Sequence, residues 1–228
     1  MLLKAENLSK EYRSGAEVVR AVRSLSLEVD SGDFLIINGP SGSGKTTLLN
    51  LLGLIDRPTS GEIYLEGRAT SRLSPRSLAD LRLRRIGLIF QTFNLISVLS
   101  AYENVEYPLL LLRMKPRERR RRVMELLEAV GLADLAHRRP EQLSGGQRQR
   151  VGIARALAAG PALVLADEPT ANLDSENSQR VMDLLAELNA RLGVACVVVT
   201  HDPLVTKYAR RIAHLRDGQL QEGSLNGV

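Results

Sequence analysis

Three features of the sequence predict an α/β fold with a mostly parallel sheet. Phe34–Ile37 is a short apolar run that breaks at a glycine-rich turn and continues into a helix-compatible run, Thr46–Leu52. From Pro140 onward, apolar strand-like runs alternate with helix-length segments, the rhythm of a parallel sheet covered on both faces. Between Thr92 and Gly131 the apolar residues fall instead at helical spacing. The expected organisation is a single domain over residues 1–228. In it, 1–91 and 140–228 form the α/β core with an N-terminal antiparallel β layer, and 92–139 form an inserted helical subdomain.

Each element has its own reason. LLKAENLSKEY and VVRAVRSLSLEV alternate at period two, with Gly15 and Asp30-Ser31-Gly32-Asp33 as turns, so residues 1–34 read as strands and Tyr12 stands at a strand end. Pro58–Gly61 is a turn before the short strand GEIYLEG. Ser74-Pro75 opens a helix through Arg85, and Ile86–Gln91 is a compact strand ending on a polar residue. Asn94-Leu95-Ile96 and Ala101–Leu112 carry helical spacing. After a break at Met114-Lys115-Pro116, Val123, Leu126, Leu127 and Val130 share one helix face opposite most of Arg119–Arg122. Helices are expected at Ser144–Ala159 and Ser175–Leu192 and strands at Ala162–Ala166 and Ala195–Thr200. A further helix and a short strand pair near Ile212–Gln221 follow, with SLNGV as a loose end.

Composition narrows the function. With 44% hydrophobic residues among 228, the chain supports an ordinary globular core. No apolar run approaches the roughly 18 residues of a membrane helix. The opening MLLKAENLSK lacks the apolar core of a signal peptide, so a cytosolic protein is expected. Cys196, in the run VACVVV, reads as a buried core thiol. The net charge of +5 comes largely from arginines on helical stretches such as Arg117–Arg122, read as a solvated face. Aromatic residues at 4% offer few platforms for stacking bases. No nucleic-acid partner is expected.

Gly39, Gly44, Lys45 and Thr46 match G-x-x-x-x-G-K-[ST], with Pro40, Ser41, Gly42 and Ser43 inside the loop and Thr47 just after it. Glycines let backbone N–H groups turn toward phosphate oxygens, and the following helix adds its positive dipole end. Lys45 reaches the outer phosphates, and the Thr46 hydroxyl suits a magnesium ion. The loop alone says nucleoside triphosphate. Asp167-Glu168 ends an apolar strand at the sheet edge where parallel sheets bind ligands. Asp167 fits a magnesium-holding acid and Glu168 a general base, although two solvated loop acids would look the same. Ser144-Gly145-Gly146-Gln147 is a helix start with exposed N–H groups, hence an anion site, and on its own also an ordinary N-cap.

Together with its neighbours, Leu143-Ser144-Gly145-Gly146-Gln147 resembles the signature motif of ATP-binding cassette (ABC) ATPases. The resemblance extends over nearly the whole chain, in the family's order. It implies ATP and Mg2+ as cofactors. Tyr12 matches the aromatic residue that stacks on adenine, and Gln91 the glutamine that senses magnesium and the partner subunit. Leu173-Asp174 matches the loop that crosses to the opposite subunit, and His201 the histidine near the γ-phosphate. Without the family, Tyr12 reads as a strand-end tyrosine, Gln91 as a solvated strand end and His201 as a surface histidine. The implied catalytic set is Glu168, His201, Lys45 and Gln91; the implied metal set is Thr46, Gln91 and Asp167. The family also implies a head-to-tail homodimer on ATP binding, with each ATP held between the phosphate loop of one copy and Ser144–Gln147 of the other.

Phe90–Leu109 with Thr200-His201-Asp202-Pro203 resembles the subfamily of lipoprotein-release and macrolide-export ATPases and their cell-division relative. Ser97 departs from it, at a position where proline is commoner. The resemblance implies an integral membrane permease with an extracytoplasmic domain as partner. The chain would then lie peripherally on the cytoplasmic face of the cell membrane. The alternatives are a regulator of wall remodelling in the same subfamily, or a cassette ATPase of DNA repair or translation. The latter usually carry coiled coils, zinc modules or duplicated cassettes.

Overall fold

The structure is a computed structural model and describes residues 1–15, 17–221 and 226–227. Of the expected loose end, residues 224, 225 and 228 lie outside the described residues. The chain opens with β1 (Leu3–Ser14) and β2 (Glu17–Val29), an antiparallel pair. Then β3 (Phe34–Asn38) runs through the glycine-rich turn into α1 (Lys45–Leu52). β4 (Ser60–Leu65) returns to pair with β1, and β5 (Arg68–Ala69) pairs with β4, giving a sheet in the order β2-β1-β4-β5. Next come α2 (Pro75–Arg85), β6 (Ile86–Ile89), α3 (Ala101–Leu111), α4 (Pro116–Ala129) and α5 (Gly145–Leu157). β7 (Leu163–Asp167), α6 (Ser175–Leu192), β8 (Ala195–Thr200), β9 (Arg211–Arg216), β10 (Gln219–Leu220) and β11 (Asn226–Gly227) complete the chain. The second sheet runs β10-β9-β3-β8-β7-β6, and β11 also pairs with β9. Its pairs from β9 to β6 are parallel; β10 and β11 join antiparallel.

Period two decides which core each strand residue serves. Leu35, Ile37, Leu163, Leu165, Val197 and Val199 face a core built with Leu48 and Leu52 of α1 and Leu3, Leu27, Ile63 and Leu65 of the antiparallel sheet. Phe34, Ile36, Val164, Ala166, Cys196 and Val198 face the other way. There they meet Val105 and Leu109 of α3, Val123 and Leu127 of α4, and the inner faces of α5 and α6. The parallel sheet is thus a shared wall between two cores. Burial pushes the Cys196 thiol up to about 12, as its place in that wall dictates.

Helix boundaries follow their caps. Ser74 accepts from Ser77 N with Pro75 at the first position, Ser100 and Glu103 form a capping box, and Asp174 accepts from Asn177 N. Gly193, at φ 64°, ends α6.

Several expectations fail locally. Asn94-Leu95-Ile96 is not helical: Phe93 and Asn94 both hold left-handed backbone, at φ 62° and 46°. Arg155 fixes that conformation by donating to Asn94 O at 2.5 Å and Phe93 O at 3.0 Å. The segment after β8 is a 3-10 turn, Pro203–Tyr208, rather than an α-helix. β6 ends at Ile89, so Gln91 sits in the turn beyond it, and Tyr12 lies inside β1 rather than at its end.

Candidate active site

The glycine-rich turn is shaped by what surrounds it. A Cβ on Gly39 would sit 2.2 Å from Leu215 O of β9, and one on Gly44 would sit 2.2 Å from Ala21 O of β2. Gly44 caps α1 at φ 101°, a conformation side chains resist, and brings no side-chain hydrogen bond to the helix start. Gly218, between β9 and β10, stitches the surroundings together. Its N–H donates to Ser43 O at 3.0 Å and its carbonyl accepts from Arg23 N at 2.8 Å.

Lys45 is 7% exposed. Its Nζ donates to Gly39 O at 2.8 Å and Pro40 O at 3.0 Å, and lies 3.6 Å from Glu168 Oε1. Thr46 Oγ1 donates to Asp167 Oδ1 at 3.3 Å, which joins the loop to the end of β7. Burial raises the Asp167 carboxyl above its ordinary value, and the neighbouring Glu168 charge adds to that. The Thr46 bond and the Lys45 charge oppose it. Glu168 is left-handed at φ 44° and its N–H donates to Val199 O at 3.0 Å, so its side chain turns back over the end of β8. There Oε1 meets His201 Nδ1 at 2.8 Å, while Oε2 accepts from Thr200 Oγ1 at 3.1 Å and His201 N at 3.3 Å.

These contacts bring Lys45, Thr46, Asp167, Glu168 and His201 into one cluster. Other candidates stand apart from it. Tyr12 is 41% exposed, and its hydroxyl donates to Asp56 Oδ2 at 3.1 Å. It pairs across the hairpin with Val19, which lines a cavity of about 540 Å³ beside the phosphate loop that Tyr12 itself does not line. Gln91 is exposed; its carbonyl accepts from Asn172 Nδ2 at 2.8 Å, and its side chain makes no hydrogen bond to Thr46 or Asp167. Ser144–Gln147 opens α5 with a closed capping box: Ser144 N donates to Gln147 Oε1 at 2.8 Å, and Gln147 N to Ser144 Oγ at 3.3 Å. Gly145 and Gly146 lie against Leu173, Asn172 and Asn177 of the loop and helix after Glu168, not against residues 39–47.

The residues present fit a magnesium nucleotide. The Ser43 hydroxyl is buried with no protein partner among the described residues, a donor left for something else. Thr46 and Asp167 offer the hard oxygens magnesium prefers. The cavity beside the loop has the size of a small-ligand site, and Val18 and Val19 supply an apolar wall. No motif points to Asn172, to the contact of Thr200 with Glu168 or to the β2 residues along that cavity; the one signal for the last is the Val18-Val19 pair in the strand opposite Tyr12.

Comparison with known proteins agrees with this geometry. The family described as ABC transporter matches residues 22–171. An uncharacterised ABC transporter ATP-binding protein of Methanocaldococcus jannaschii is 48% identical over 221 residues, 97% of this chain and 98% of its own. One from Thermotoga maritima is 48% identical over 219 residues, 96% of this chain and 93% of its own. Among solved structures, the ATP-binding cassette MJ0796, a dimer bound to ADP and Pi, aligns over 100% of both chains with a TM-score of 0.91 and 44% identity. The cbiO1 protein of Clostridium perfringens, part of the transporter complex cbiONQ, aligns over 96% of this chain and 86% of its own at a TM-score of 0.86 and 30% identity. The chain belongs to the ABC transporter family as an ATP-binding protein, and it is an ATPase.

Proposed function

We propose that the chain is the ATP-hydrolysing subunit of a membrane transporter, working as a head-to-tail homodimer around two ATP. One observation carries the dimer. Lys45, Asp167 and Glu168 form a connected half-site, whereas Ser144–Gln147, with anion-binding chemistry of its own and Ser144 exposed, touches none of it. A second copy would supply the missing half. The dimeric structure of the related cassette supports this reading.

In the proposed mechanism, backbone N–H groups of residues 39–47 and Lys45 bind the phosphates, while Val18 and Val19 flank the base beside Tyr12. Thr46, Asp167 and, on closure, Gln91 would hold magnesium, which supplies charge neutralisation to the phosphate oxygens. Glu168 Oε1 polarises the attacking water, and His201, bonded to that oxygen, holds the carboxylate near the γ-phosphate. Closing the dimer completes the site, and hydrolysis lets it reopen.

The membrane partner would be a permease with an extracytoplasmic domain, of the lipoprotein-release and macrolide-export type, and the chain would lie on the cytoplasmic face beneath it. No helix among the described residues is long and apolar enough to cross a membrane. Ile96, Val98, Tyr107, Leu110 and Leu111 are left exposed on 92–139, with Val98 at 71%. That apolar surface suits a helix of such a partner. The membership of cbiO1 in a transporter complex supports a transporter partner, without bearing on its type.

Glu168→Gln tests the reading. It should retain ATP binding, slow hydrolysis about 10²–10⁴-fold, and elute as a dimer only with ATP. Near-normal turnover, or a monomer with ATP, would refute it. Recovery of the chain with a detergent-extracted membrane protein tests the partner.

A further inference from the structure

Glu168 is held by more than the groups that the reaction needs. Thr200, the last residue of β8, is fully buried. Its hydroxyl makes two contacts. It lies 3.1 Å from Glu168 Oε2 and 3.0 Å from Asp202 N. The Asp202 N–H can only donate, so the hydroxyl accepts there, and its single proton is left for Glu168. The direction of this hydrogen bond is therefore fixed by the backbone. A β-branched side chain at the end of a strand also has little freedom about χ1, which fixes the oxygen's position. The carbonyl of the same residue accepts from Gly39 N at 3.3 Å, where the phosphate loop begins. One buried residue thus spans the start of the phosphate loop and the carboxylate opposite it.

The two oxygens of Glu168 are consequently unequal. Oε2 receives only fixed donors, the Thr200 hydroxyl and the His201 backbone N–H. Among the described residues Oε1 meets only side chains of the site, a hydrogen bond with His201 Nδ1 and the Lys45 charge 3.6 Å away. The left-handed backbone at Glu168, φ 44°, turns the side chain over the end of β8, and the contacts there set which oxygen is tied down.

We propose that Thr200 is a positioning residue for hydrolysis: by tying down Oε2, it presents Oε1 as the working oxygen of Glu168. The inference rests on Glu168 as the general base and adds to it the residue that aims it.

The test uses the full chain with Thr200→Val, Thr200→Ser, Thr200→Ala and Glu168→Gln, and the double variant Thr200→Val/Glu168→Gln. Thr200→Val keeps the shape and removes the donor. Its kcat should fall about 10- to 100-fold, with ATP affinity unchanged within about twofold, the loss expected of one hydrogen bond to a charged group. Thr200→Ser keeps the hydroxyl and should stay within about threefold of the parent. In the Glu168→Gln background the valine change should cost no more than about a further twofold, because the group it aims is already gone. If Thr200→Val does not fold, Thr200→Ala carries the same expectations.

The positioning role is overturned if Thr200→Val or Thr200→Ala turns over at the parent rate, or if Thr200→Ser is as slow as they are. A full valine effect in the Glu168→Gln background, or a fall in ATP affinity that matches the fall in kcat, overturns it equally. Failure of the underlying reading looks different. In that case Glu168→Gln itself keeps near-normal turnover, whatever Thr200 does.

Discussion

The phosphate loop and the Ser144 turn are both helix N-termini suited to an anion, yet they are built on opposite plans. At Gly39 and Gly44 the backbone is pressed against carbonyls of two different sheets, and Lys45 is buried and bonded on arrival. At Ser144 the turn caps itself through Gln147 with its serine exposed, while Gly146 behind it is buried against Asn177. The first takes its geometry from both sheets of the fold. The second is shaped by its own capping box and by the start of α6 behind it, and in the proposed function its anion arrives with a second copy. The contrast teaches that anion chemistry in a sequence says little about where the anion is held; the packing around the turn says that.

Substitutions can break this comparison at either end. Lys45→Ala should have the largest effect, lowering ATPase activity by about 10²-fold or more as a charge aimed at the phosphates is lost. Retention of ATP turnover would show the loop to be a bystander. Ser144→Arg should abolish ATP-driven dimerisation and hydrolysis to a similar extent, about 10²-fold, while the isolated chain still binds ATP. If equilibrium binding by the monomer were lost too, both turns would serve one site in one copy.

Stability changes sharpen the contrast further. Gly44→Ala meets both a left-handed φ and a carbonyl at 2.2 Å, whereas Gly42→Ala meets φ 79° and open space. Urea unfolding should therefore show about 1–2 kcal/mol lost at Gly42 and more at Gly44; equal losses would deny the wedge. Smallest should be Gln147→Ala, which removes half of a surface capping box at a cost of about 0.5–1 kcal/mol. Its thermal midpoint should fall by only a few degrees.

How legible all this was in the sequence depended on range. Phe34–Ile37, the turn and α1 are adjacent, so their strand–turn–helix order could be read directly, and the alternation of apolar runs with helices correctly implied a parallel sheet covered on both faces. The strand ending in Asp167-Glu168 was legible for the same reason. Asn94–Ile96 was not, because helical spacing of Leu95 and Ile96 could not reveal that Arg155, far along the chain, claims the carbonyls of Phe93 and Asn94. The role of Thr200 was not legible either: the residue belongs to the Thr200–Pro203 stretch that carries the resemblance, yet a threonine ending an apolar strand is also what β propensity alone would place there. Its bond to Glu168 exists only once β7 and β8 lie side by side.

The carbonyls that crowd Gly39 and Gly44 come from separate layers, Leu215 from the parallel sheet and Ala21 from the antiparallel one, and Gly218 is hydrogen-bonded to both Ser43 and Arg23. The loop is thus a keystone: it occupies the seam where the two layers meet, and neither can slide past the other without deforming it. A nucleotide that stiffens the loop would lock the layers together, and losing the nucleotide would give the seam back its play. The same few residues proposed to hold phosphate would then also set how rigid the whole cassette is.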